Sequence, residues 1–186
     1  MRIETTRKLF TVDEYYKMAD VGILRPEDRV ELIDGEIVEM SPIGVRHLGC
    51  VNAANAAFSE AFRGKVVVSV QNPLQLTSYS EPEPDIVLLK FRTDSYRGKK
   101  PEAAAALLVI EVSDTTFAYE REVKLPLYAL AGVPEVWIEN LEEDLLMVYR
   151  HPQGKTYKTR LSLKRTDSIS VEAFPDLVFV VSDLLG

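Results

Sequence analysis

The chain has 186 residues, 46% of them hydrophobic and 27% charged. That usage suits a packed core and excludes a disordered, collagen-like or low-complexity chain. Twenty-two basic against 29 acidic residues leave a net charge of −7 and a pI near 5.0, which excludes a surface that coats nucleic acid indiscriminately.

In chain order, Thr11-Val12-Asp13-Glu14 is a capping box that opens a helix running to about Ala19 and ending before Gly22, with Pro26 marking a loop. Segments 29–34 and 36–40 read as strands around Asp34-Gly35, a hairpin turn pair. Leu48, Val51, Ala54, Phe58 and Phe62 recur at spacings of three and four, so 44–62 is an amphipathic helix stopped by Gly64. Segments 66–71 and 74–77 are β-rich, and 84–90 and 107–112 read as buried strands on either side of a charged loop. Segment 119–131 has a helical period, closed by Gly132-Val133-Pro134, with Pro126 inside it as a break or kink. Strands at 135–139, 145–150 and 155–163 follow, with His151-Pro152 and Gly154 in the last turn. Segment 171–181 is strand-like but interrupted by Pro175. The pattern predicts a mixed α/β (α+β) fold, one domain over residues 1–186, with a central mixed sheet, helices against it and additional hairpins.

The longest apolar run, 103–110, is far short of the ~20 residues that span a bilayer, and the first ten residues carry no secretory stretch. The single cysteine, Cys50, excludes an intrachain disulfide. A cytoplasmic protein without membrane partners is expected.

Two acids stand out by position. Asp85 opens one apolar strand and Glu111 lies at the end of another. Carboxylates are rarely buried unless paired or bound to a cation, and two converging in a sheet suit Mg²⁺ or Mn²⁺. The alternative is a pair of strand ends in water, each beside a base. Lys124 follows Glu120 by one turn, so it makes either a surface ion pair or an ammonium that reaches back to the carboxylates and offsets developing charge. Glu31 shares a strand face with Ile33 and is either a third site acid or a half-solvated edge residue. His47, at a helix start, is expected in solvent, and no second histidine stands at zinc-ligand spacing. Phosphate-cradling glycine loops and a Gly-x-Ser-x-Gly elbow are absent. Lys155, Lys158 and Arg160, with His47, are candidate nucleic-acid contacts, although basic residues also guard edge strands.

Glu83-Pro84-Asp85 followed by Val109-Ile110-Glu111-Val112-Ser113 resembles the PD-(D/E)XK nuclease superfamily. The wider set resembles, more closely, the Uma-two family of restriction-endonuclease-like proteins. That set comprises Val30-Glu31-Leu32-Ile33-Asp34-Gly35-Glu36, Ser41-Pro42 with His47, and Lys124-x-x-x-Tyr128-Ala129-x-Ala131-Gly132-Val133-Pro134-Glu135-Val136-Trp137. The superfamily's third-motif lysine is replaced by Ser113, and the family's counterpart is Lys124 on the following helix. The resemblance implies a restriction-endonuclease-like core and a Mg²⁺- or Mn²⁺-dependent endonuclease acting on DNA, expected as a homodimer. It assigns Asp85, Glu111, Lys124 and Glu31 to catalysis, and Asp85, Glu111 and the Val112 carbonyl to the metal. A catalytically silent homodimeric scaffold and a hydrolase of small phosphoesters are the alternatives.

Overall fold

The computed structural model describes residues 6–25 and 27–186, so Pro26 itself lies outside the described residues. The elements run α1 (Val12–Asp20), β1 (Val30–Ile33), β2 (Glu36–Glu39), α2 (Val45–Ala61), β3 (Val66–Val70), β4 (Ile86–Lys90) and β5 (Ala106–Ser113). There follow α3 (Phe117–Tyr119), a π-helical segment (Glu120–Lys124), α4 (Leu125–Leu130), β6 (Glu135–Asn140), β7 (Leu145–Gln153), β8 (Thr156–Lys164), β9 (Ser168–Ser170), β10 (Val178–Val180) and α5 (Val181–Leu184).

Six strands form one mixed sheet in the order β3-β4-β5-β6-β7-β8. Neighbours are antiparallel except β5 and β6, which need a crossover to run parallel, and the α3–α4 helix supplies it. Strands β4 to β6 and the first half of β7 are buried on both faces. On one face α2, α5 and the β9–β10 hairpin close over Phe58, Phe62, Trp137 and Phe179. On the other, α4 packs Leu125, Tyr128 and Ala129 onto Val109, Val136 and Ile138.

The capping box is present: the Glu14 N–H donates to Thr11 Oγ1, and Glu14 accepts the Thr11 N–H. Asp34 and Gly35 both have positive φ, as the tight β1–β2 turn requires. Gly35 is needed twice over, since a Cβ there would lie 2.7 Å from the Leu9 Cβ. Pro126 does not break its helix. The widened π turn before it and its place in the first turn of α4 accommodate the missing N–H.

Three local expectations are corrected. Segment 74–77 forms only an isolated bridge, Gln75 with Glu102. Its Leu74 and Leu76 N–H groups donate to Pro82 and Ser80 in a loop that folds back on itself. Segment 171–181 is not one strand: β10 occupies its end and pairs with β9, and the Pro175 region is the connection. His151 and Pro152 lie within β7, His151 at φ +61°, and the turn falls later, at Gly154.

Candidate active site

Strands β4 and β5 diverge just beyond the Ile86–Ile110 pair, while β5 continues to Ser113 against β6 alone. Asp85, one residue before β4, fills the gap. Its Oδ2 accepts the Val112 N–H at 2.9 Å, a backbone donor that the β4 ladder no longer serves. His47 Nε2 is 3.0 Å from the same oxygen, and Gln71 Nε2 donates to Oδ1 at 3.2 Å. The expectation of a solvated His47 is therefore corrected: its imidazole is mostly buried against Asp85. Among the described residues His47 Nδ1 has no partner, so the ring meets the site through Nε2 alone.

Glu111 faces the α4 side of the sheet, one residue from Val112. Its Oε1 accepts from Tyr128 Oη at 2.5 Å and from Lys124 Nζ at 3.3 Å. Lys124 also lies 3.2 Å from Glu31 and 3.6 Å from Glu120. Lys124 does reach back to the carboxylates, and its pair with Glu120 is internal instead of a surface pair, since Lys124 is only 4% exposed. Glu31 is not half-solvated either. It is 3% exposed, accepting from the Glu83 N–H and the Tyr119 hydroxyl.

Burial drives the electrostatics. It pushes the Glu111 carboxyl well above its usual range against the pull of the Lys124 ammonium, and the Glu120 and Asp85 charges add to the rise. Glu120 is pushed up to about 7, by burial first and then by Glu31 and Asp85. Burial acts against the charge on Lys124, but Glu111, Glu120 and Glu31 outweigh it and hold the ammonium protonated.

These groups line a cleft of about 460 Å³, walled by the β1–β2 hairpin, the start of α2 and the β5–α3 connection. Among the described residues no three His, Cys, Asp or Glu side chains form a metal cage by themselves. The donors on offer are two carboxylates and, at Val112, a backbone carbonyl. They fit a hard divalent cation, and Glu111 Oε2 carries no hydrogen bond among the described residues. Lys155, Lys158 and Arg160 are not brought to the cleft. They are exposed on and beside the edge strand β8, three strands and roughly 14 Å from β5.

Two contacts were not anticipated. Tyr128 stands four residues after Lys124, on the same helix face, so spacing alone could have flagged it. Gln71 carried no such signal, for it reaches Asp85 from a left-handed φ of +49° at the end of β3.

The profile of the Uma2 family, described as "Putative restriction endonuclease", matches residues 12–182. Among solved structures, the fold is similar to "a putative nuclease belonging to DUF820" from Anabaena variabilis ATCC 29413. That protein is 16% identical, with a TM-score of 0.72 over 95% of this chain and 97% of the other. At that identity the likeness is one of fold, which in this chain is a six-stranded mixed sheet flanked by helices. No curated protein matches the chain.

Proposed function

The chain belongs to the Uma2 family, and from that premise we propose that it is a divalent-metal-dependent endonuclease hydrolysing phosphodiester bonds in DNA. The observation that carries the reading is the charge imbalance of the cleft, where Glu31, Glu111 and Glu120 share one buried ammonium and Glu83 and Asp85 add further acids to the lining. A buried excess of carboxylates is costly unless cations or protons offset it.

In this reading Asp85, Glu111 and the Val112 carbonyl hold Mg²⁺ or Mn²⁺. The bound cation supplies charge to polarise a phosphoryl oxygen and to acidify water. His47, Gln71 and the Val112 N–H orient Asp85 from three sides. Lys124, held by Glu31, donates toward the attacking water or the charge that develops on phosphorus. Lys155, Lys158 and Arg160 contact phosphates of a substrate long enough to reach β8. A homodimer would present two such sites to the two strands of a duplex.

Supercoiled plasmid incubated with the protein and Mn²⁺ should be nicked, EDTA should stop the reaction, and Asp85→Ala should slow it by a factor on the order of 10² to 10³. Equal cleavage by Asp85→Ala would refute the assignment. The acid-lined cleft of about 460 Å³ favours one second reading, a hydrolase of small phosphoesters. Hydrolysis of a nucleotide or an aryl phosphodiester by a preparation that leaves plasmid intact would establish it.

A further inference from the structure

Resting on the metal-site reading above, we infer that Tyr128 is a positioning residue for Glu111: its hydroxyl, with the Lys124 ammonium, occupies Glu111 Oε1 so that Oε2 alone is presented to a divalent cation. The two donors reach the same carboxylate oxygen, Tyr128 Oη at 2.5 Å and Lys124 Nζ at 3.3 Å. A carboxylate oxygen has about two lone-pair sites, so these contacts leave Oε1 none to spare. Oε2 takes no hydrogen bond from any described residue, although Glu111 lines the cleft. The arrangement is asymmetric: one oxygen is doubly served and the other is open.

The geometry that aims the hydroxyl is stiff. Tyr128 is 1% exposed, its ring is packed among the core residues beneath α4, and α4 ends in a locked turn. The Val133 N–H donates to the Tyr128 carbonyl at 3.0 Å, and Gly132 sits at φ +77°, the left-handed close of a helix. Lys124 and Tyr128 stand four residues apart across the passage from the π turn into α4, which puts both donors on the face that meets β5. The hydroxyl therefore cannot follow Glu111 if the carboxylate rotates. Rotation would break the short contact, and with it held, a cation meets the carboxylate through one oxygen.

A merely structural tyrosine would satisfy Glu111 without affecting a cation, so the test reads cation binding directly. Mn²⁺ is titrated into the parent and into Tyr128→Phe, which keeps the ring and removes only the hydroxyl, and free Mn²⁺ is followed by its paramagnetic resonance signal. The dissociation constant should rise by about 10- to 100-fold in Tyr128→Phe, as when a group that orients a metal ligand is lost. The rise in melting temperature caused by Mn²⁺ should shrink in step. A folded Tyr128→Phe protein that binds Mn²⁺ as tightly as the parent overturns the inference while leaving the metal site intact. A parent that binds no Mn²⁺ overturns the metal reading itself, and the inference with it. Should Tyr128→Phe fail to fold, the infrared difference spectrum of the parent on adding Mn²⁺ decides. The wide carboxylate splitting of one-oxygen ligation, lost in Glu111→Gln, supports the inference, and the narrow splitting of two-oxygen ligation overturns it.

Discussion

Glu111 and Glu135 lie buried on the two parallel strands of the sheet, and their surroundings could hardly differ more. Glu135, at the start of β6, is closed off. Its Oε1 accepts from Trp137 Nε1 and Arg150 Nε, each at 2.7 Å, and its Oε2 accepts the Glu172 N–H at 2.7 Å. One carboxylate meets one guanidinium, and both oxygens are served. Around Glu111, several acids share one ammonium, and one of its own oxygens is open. The first cluster ties β6, β7 and the β9 end together. The second is left short of positive charge at a cleft. Burial of an acid therefore says little about its role; the balance of donors and cations around it says more.

Stability and activity should separate the two clusters. Arg150→Ala leaves Glu135 without its cation and should cost about 3 kcal/mol in urea unfolding, as breaking a buried pair does. The protein that remains folded should still cleave at the parental rate. Glu111→Gln should do the reverse, holding stability while activity is lost. If Arg150→Ala abolishes cleavage while folded, the division between a structural and a catalytic cluster fails.

Lys124→Ala probes the shared ammonium, and an activity loss on the order of 10² is expected. The i,i+4 spacing with Glu120 suggests an exposed pair whose loss costs little. The burial of Lys124 replaces that expectation with a measurable destabilisation in EDTA, since Glu31, Glu111 and Glu120 lose their common cation. Mn²⁺ should restore part of the lost stability. A Lys124→Ala protein that cleaves as fast as the parent ends the proposed role.

Glu139 extends the comparison to an acid with no partner among the described residues, both oxygens buried and unbonded there. Burial, then the Asp85 charge, raises its pKa well above the usual range. The folded state thus keeps a proton that the unfolded chain releases, so its contribution to stability is full below the ordinary carboxylate pKa and declines as pH rises toward the folded value. Subtracting Glu139→Gln from the parent across that range should reveal a fall of at most about 1.4 kcal/mol per pH unit. Parallel pH profiles would show that Glu139 is solvated or paired in solution.

Much of this was legible along the chain, because the decisive interactions there span only a few residues. The Thr11–Glu14 box, the Asp34-Gly35 turn, the apolar runs that became β4 and β5, and the stop at Gly132 each depend on neighbours within about one turn. The acids at the ends of β4 and β5 were visible for the same reason, since a charge beside an apolar run is a local anomaly. Segments 74–77 and 171–181 misled because β-propensity names a strand without naming its partner. The first found only loop carbonyls, and the second was split around Pro175.

What the sequence by itself determined was therefore the set of elements and the residue types with chemistry to offer. Only the tertiary structure decided that His47 would meet Asp85 from 38 residues away, that Glu31 would be buried against Lys124, and that Lys155, Lys158 and Arg160 would stand on the far edge of the sheet. Helix and turn signals are sums over adjacent residues, whereas the electrostatics of a carboxylate depends on which distant segments exclude water from it and which donors they bring. Those contributions exist only once β4 and β5 have diverged and the helices have closed over them.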